Sequence, residues 1–166
     1  MAKAGDKKPA DKPVTETLVS ENKKARFHYE ILERYESGLV LLGTEVKSLR
    51  QGQMSLDEAY ARFDGDELWI LGATIPEYSH GNLQNHEPKR KRKCLLRARE
   101  LAKLKAKSQV KGLTIVPLRV YFGARGFAKV TLGVGKGRKL HDKREVEATR
   151  DAQREIQRAL ANRSRD

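Results

Sequence analysis

The sequence predicts a mainly β fold with helices, a small antiparallel β-barrel between flexible basic N- and C-terminal tails. Three observations point there. Short β-rich runs separated by turn signals fill the stretch from Phe27 to Val134, strands and helices do not alternate regularly, and the chain beyond Val134 holds ten basic and six acidic residues with very few apolar ones. At 166 residues, one compact core plus tails is expected rather than two domains.

Residues 1–17 contain Lys, Asp, Ala, Pro and Gly with almost nothing to bury, which predicts a flexible tail, and the barrel is expected over 18–134. From Phe27, the apolar Tyr29, Ile31 and Tyr35 alternate with His28, Glu30, Arg34 and Glu36, as opposite faces of a strand require. Ser37-Gly38 reads as a turn and Leu39 to Leu42 as a second, buried strand. Thr44 is placed to cap a short helix that turns Val46 and Leu49 inward and Lys47 and Arg50 outward, with Gly52 ending it. Ala59 to Phe63 and Glu67 to Leu71 form a hairpin about Asp64-Gly65-Asp66, because Asp-Gly accepts the backbone twist of a tight turn. Residues 73–88, with Pro76, Gly81, Asn82, Asn85 and Pro88, read as loop.

Lys89-Arg90-Lys91-Arg92-Lys93 then leads into a helix whose core stripe would be Leu96, Leu101 and Leu104. Leu113 to Phe122 and Phe127 to Val134 are strands joined through Gly123-Ala124-Arg125-Gly126, closing an OB-like barrel. The tail, 135–166, sets Glu147, Asp151 and Glu155 three residues before Arg150, Arg154 and Arg158. That spacing favours a helix from about 142, but Val146, Ile156 and Leu160 give it little to bury, so its ordering is expected to depend on a charged groove.

Composition limits function. The formal charge is +13 with a pI near 10.0, which draws polyanions, and eleven Lys or Arg face one acid between Lys89 and Lys111. No apolar run exceeds four residues, so neither a membrane span nor a signal peptide is expected, and a cytoplasmic monomer acting on nucleic acid is the reading. Catalysis and cofactors are not expected. His80 and His86 with Glu77 and Glu87 lack zinc-ligand spacing and read as wet loop residues, and Cys94, beside five cations, has no histidine placed as its base. Gly133-Val134-Gly135-Lys136-Gly137 lacks the endings of a phosphate-binding loop and reads as a hinge. Arg125 to Leu132 follows much of an RNA-recognition-motif signature, but Lys129 stands at the second stacking position and the βαββαβ order is missing.

Asn22-Lys23-Lys24-Ala25-Arg26, Tyr29, Glu36-Ser37-Gly38-Leu39, Gly43-Thr44-Glu45-Val46-Lys47-Ser48-Leu49-Arg50, Arg92 to Leu96, and Gly137 leading to His141-Asp142-Lys143-Arg144 resemble the SmpB family of bacterial proteins that bind transfer-messenger RNA (tmRNA). The resemblance implies a six-stranded OB-like barrel that binds the tRNA-like domain of tmRNA and delivers it to ribosomes stalled without a stop codon. It implies Glu36, Leu95 and Lys129 at the RNA surface and Tyr29 and Val134 in ribosome accommodation. It sets His141, Asp142, Lys143 and Arg144 at the decoding centre, against ribosomal RNA, with the following helix in the mRNA entry channel. The family often has alanine where this chain has Gly135, which puts that position's contribution in question.

Together with charge, the expected tmRNA-binding set is Asn22, Lys23, Arg26, Glu36, Lys47, Arg50, Lys89, Arg90, Lys91, Arg92, Lys93, Leu95 and Lys129. Glu36 is expected to accept from a base and to add specificity. The set for ribosome engagement is Tyr29, Val134, Gly135, Lys136, His141, Asp142, Lys143 and Arg144. A ribosomal or other OB-type structural RNA-binding protein is the alternative, although it has no need of the His-Asp-Lys-Arg segment and an orderable helix. A nuclease would require acidic metal clusters or a placed histidine pair.

Overall fold

The computed structural model describes residues 16–163, and the expectation for residues 1–15 lies outside them. In chain order the elements are β1 (Thr17–Glu21), α1 (Lys23–His28), β2 (Tyr29–Leu39), α2 (Gly43–Arg50), β3 (Tyr60–Asp64), β4 (Glu67–Leu71), β5 (Arg92–Leu95), α3 (Ala98–Ser108), β6 (Leu113–Phe122), β7 (Ala128–Gly137) and α4 (Leu140–Arg163). A short 3-10 turn, Asn82–Gln84, interrupts the long loop before β5. All strand pairs are antiparallel, and the order β6-β3-β4-β5-β2-β7 closes through β6–β7 into a ring, with β1 added beside β6. Closure removes most free strand edges, which a small sheet would otherwise expose. The ring is uneven: β2 meets β5 at only Gly38↔Leu95 and Leu39↔Cys94, whereas β2 and β7 pair along nearly their whole length.

Leu68, Ile70, Ile115, Val120, Val130, Leu132 and Val134 fill the interior, and Leu49 of α2 and Leu104 of α3 complete it. Outside the ring, Ala25 of α1 packs on Val116 and Leu118 with Tyr29 and Ile31 alongside. Because core lies on one side and α1 on the other, Ile115 to Leu118 are buried four in a row without alternation. Pro117 has no N–H for the ladder, and the strand accommodates it at a register shift between Pro117 and Arg119. The Pro117 and Leu118 carbonyls accept from the Asn22 side chain (3.2 Å) and backbone (2.7 Å) respectively.

The β3–β4 hairpin forms as expected, with Asp64↔Glu67 closing a two-residue turn and Gly65 at φ +61. Several expectations are corrected. Thr17, expected at the end of the tail, is the first residue of β1. Phe27 and His28 end α1, whose N-cap is Asn22, so the first alternating strand starts at Tyr29. Ser37-Gly38 does not turn the chain: both residues lie within β2, and Leu39 is its last residue. Leu42, not Thr44, is the N-cap of α2, and the Glu45 carboxylate accepts the Leu42 N–H at 2.8 Å. The basic run contains β5, and β7 extends past 134 to Gly137, so the tail begins at Arg138. In the tail α4 starts at Leu140 rather than about 142.

Candidate nucleic-acid interface

Strand register assembles one outer face at an end of the barrel. Lys129 of β7 stands opposite Gly38 of β2, Gly38 opposite Leu95 of β5, and Glu36 opposite Thr131. On the other side Tyr121 and Arg119 of β6 face Lys129 and Thr131. The residues Glu36, Leu95 and Lys129 are thereby brought together from three strands. Leu95 crosses Gly38, and a Cβ added there would meet the Leu95 Cβ at an ordinary contact distance of 3.4 Å. Leu95 itself is 54% exposed, an apolar side chain on a charged surface.

Glu36 organises this face. One carboxylate oxygen accepts from Lys129 Nζ at 2.6 Å and the other from the Tyr121 hydroxyl at 2.5 Å. Those two hydrogen bonds, Lys129's first, hold the Glu36 carboxyl below the usual carboxylate range. Burial, then the bond to Glu36, pushes the Tyr121 hydroxyl up to about 12. The Arg119 guanidinium lies 4.7 Å from the Tyr121 ring centroid and donates to Thr131 Oγ1 at 3.2 Å. With half its side chain exposed and lone pairs left on each oxygen, Glu36 can still accept from an external N–H group. Arg119, Tyr121 and Thr131 were not picked out from the sequence, because only register shows that they flank Glu36 and Lys129.

The basic run is divided by the pleat of β5. Arg92 is fully buried: its Nε donates to Glu45 at 2.9 Å, and its remaining donors reach the carbonyls of Ala73, Arg90 and Pro88. Arg90 makes a two-pronged contact with the same carboxylate, at 2.9 and 2.6 Å. Arg92 therefore leaves the expected RNA-contacting set, and Arg90 is tied to the core by its fork. Lys91 pairs with Asp64 at 3.3 Å and covers the Trp69 ring, and Lys93 pairs with Glu67. Lys89 is exposed in the preceding loop.

Asn22 also leaves the set. It is 2% exposed, its Nδ2 donating to the Leu56 carbonyl at 2.9 Å while Oδ1 accepts the Ala25 N–H at 2.9 Å, so it secures α1 rather than facing solvent. Lys23 and Arg26 are exposed on α1, Arg26 paired with Glu21 at 3.0 Å. Lys47 and Arg50 project from the outer face of α2, Lys47 lying 5.3 Å from the Tyr78 ring centroid. His86 is buried, not wet: its ring nitrogens contact Thr44 Oγ1 and the Ile75 carbonyl, each at 2.9 Å. Cys94 is buried, and burial pushes its thiol up to about 12. Among the described residues no group of three or more His, Cys, Asp or Glu could hold a metal ion, and no helix is long and apolar enough to cross a membrane.

The ribosome-engagement set lies elsewhere. Val134 is inside the barrel, and Gly135 lies under Tyr29, where an added Cβ would be 2.8 Å from the Tyr29 Cβ. Gly133 to Lys136 are strand residues paired on both sides and Gly137 pairs with β2, so the segment is not a hinge. Lys136 is exposed, and His141, Asp142, Lys143 and Arg144 form the first turn of α4, with Asp142 accepting the Lys139 N–H at 3.3 Å. Eight residues of β7 separate Lys129 from Gly137, about 26 Å at ~3.3 Å per residue. The Glu36 face and the start of the tail are at opposite ends of one strand. Among the described residues of α4 only Lys143 and Val146 are half-buried, Asp151 pairs with Arg154 at 3.6 Å, and Arg150 stands 5.8 Å from the Phe27 ring of α1.

The family model described as SmpB protein matches residues 19–162. An SsrA-binding protein of Agrobacterium fabrum is 52% identical over 151 residues, 91% of this chain and 94% of that one. Another, from Mesorhizobium japonicum, is 54% identical over 145 residues, covering 87% and 91%. A solved chain from work on tmRNA-SmpB and the bacterial ribosome superposes with a TM-score of 0.63 at 48% identity, over 78% of this chain and 87% of that one.

Proposed function

The chain belongs to the SmpB family, and from that premise we propose how its two ends divide the work of ribosome rescue. It binds tmRNA and acts with it on the ribosome in trans-translation. The Glu36–Leu95–Lys129 face takes the tRNA-like domain, and the segment from His141 to Arg144 enters the decoding centre with α4 along the mRNA entry channel. The chain acts as a non-catalytic, cytoplasmic, monomeric adaptor. The observation that carries this division is the separation of the two sets along β7: a ligand held at Lys129 leaves the tail free to reach a different partner.

The chemistry suits each end. Bases in RNA loops present donors that a carboxylate can accept, while the same negative charge rejects bare phosphate, so Glu36 adds discrimination where Lys47, Arg50 and Lys129 supply backbone affinity. At the other end, α4 has little apolar surface and alternating charges, which suits a helix housed among ribosomal RNA phosphates rather than in a protein core. Changing Asp142, Lys143 and Arg144 together to Ala tests the division. Tagging on ribosomes stalled at the end of a message should fail while binding to the isolated tRNA-like domain persists. Loss of both in proportion would return the tail to general RNA binding.

A further inference from the structure

Phe127 has an environment that neither folding nor the contacts described above explains. It is 69% exposed, yet it is held firmly: its carbonyl accepts the Gly123 N–H at 3.0 Å, the Gly126 N–H reaches the Gly123 carbonyl at 2.8 Å, and Gly126 sits at φ +78. The ring is thus displayed on a closed turn immediately before β7, two residues from Lys129. It borders a concavity of about 330 Å³ shared with Arg125, Lys129 and Gly123. A second concavity, about 470 Å³, shares Gly123 and Ala124 with the first and adds Arg50 and Leu18. The Lys129 side chain lies across Gly123, its Cε 3.3 Å from where a Cβ would stand.

We infer that Phe127 is a stacking platform for an unstacked nucleobase of the bound RNA, with Arg50 and Arg125 set to take the flanking phosphates. The inference rests on the reading that this end of the barrel takes the tRNA-like domain, and it adds a residue and a contact type to it. The concavity beside Phe127 holds no other large apolar side chain, and Leu18, Val19, Leu49 and Phe122 line only the neighbouring one, so the ring stands among cations, as suits a nucleotide that combines a flat π-face with a negative backbone. The acids nearby are already engaged, Glu16 with Arg119 at 3.2 Å and Glu36 with Lys129 at 2.6 Å, so the cationic surroundings prevail. The Arg125-Gly126-Phe127 stretch of the incomplete RNA-recognition signature thereby has a use outside that fold.

The test titrates the isolated tRNA-like domain of tmRNA against wild type, Phe127→Ala, Phe127→Leu and Phe127→Tyr at fixed salt. Phe127→Ala and Phe127→Leu should each weaken binding about tenfold or more, with Phe127→Tyr within roughly threefold of wild type, because stacking needs the ring and not only apolar area. The slope of log affinity against log salt should not change, since the ring neutralises no phosphate. In a Trp69→Phe background, Phe127→Trp should show fluorescence quenched on adding RNA. Wild-type affinity in Phe127→Ala, or an unquenched Trp at 127, overturns the platform while leaving the barrel-end reading in place. Failure of wild type itself to bind this RNA overturns both.

Discussion

Replacing Glu45 by Ala should destabilise the barrel by about 3–5 kcal/mol, the usual cost of breaking a buried ion pair from one side. The Glu45 side chain is wholly buried and accepts the Leu42 N–H, two bonds from Arg90 and one from Arg92. Arg90 is 26% exposed and can rehydrate, so its contribution resembles that of a surface pair, ~0–1 kcal/mol. Arg92 cannot: at 0% exposure it would keep its three backbone acceptors but lose its counter-charge, and that loss dominates. The assay is urea unfolding at neutral pH, where a slope of ~1–3 kcal/mol per molar converts the loss into a midpoint shift of at least about 1 M.

A double-mutant cycle isolates the pair. Arg92→Met should cost less in a Glu45→Met background than in wild type, because the carbonyls freed by removing Arg92 are the same in both and only the charge interaction differs. Acid gives an independent check. Burial pushes the Glu45 carboxyl up, but the Arg90 hydrogen bond, the Leu42 amide and the charges of both guanidiniums outweigh it, so the folded-state value is lowered. A lowered folded-state value means that the contribution is complete above the unfolded carboxylate range and is lost as pH falls towards the folded value. The stability gap between wild type and Glu45→Gln should therefore narrow as pH drops below the ordinary carboxylate range. A loss under about 1 kcal/mol for Glu45→Ala, or a gap that does not narrow in acid, would refute the buried-triad account.

Asn22→Ala removes the α1 cap and strips the Leu56 and Pro117 carbonyls of a donor, and it should cost about 2–4 kcal/mol in thermal or urea unfolding with RNA affinity unchanged below the transition. A selective loss of affinity would restore it to the RNA surface. Glu36→Ala removes a negative charge yet should weaken binding to the tRNA-like domain by ~1–3 kcal/mol in a filter titration, because a base acceptor is lost and Lys129 and Tyr121 lose their anchor. Tighter binding would make it a surface residue only. Truncation after Gly137 should keep the folded barrel and its RNA affinity but abolish tagging. Truncation before Gly135 should also lower the unfolding midpoint, because Gly135, Lys136 and Gly137 pair with β2 and the first two also with β6; equal midpoints for the two truncations would show that this strand end adds nothing.

Local signals were readable from sequence where the partner is near in the chain. Asp64-Gly65 marked its hairpin, and the β-rich runs of β6 and β7 with glycines between them marked theirs, since turn chemistry and β-propensity act within a few residues. Misreadings occurred where the deciding partner is remote. Gly38 resembles a turn residue, yet it lies within β2 opposite Leu95 and Lys129, and Asn22 resembles part of a basic patch, yet its hydrogen bonds run to Leu56 and Pro117. The basic run is the sharpest case. An eleven-to-one charge ratio suggested an open cationic strip, but Asp64 and Glu67, distant in sequence, each meet one of its members in space, and two of its arginines are anchored on the buried Glu45 carboxylate. Charge counted along a chain sets the long-range field that draws RNA, whereas contact depends on which cations remain without an internal acid. By that criterion the proposed contact face shifts from the basic run of β5 to the barrel end, where Arg50 and Arg125 flank an exposed ring and Lys129 shares its charge with a half-exposed carboxylate.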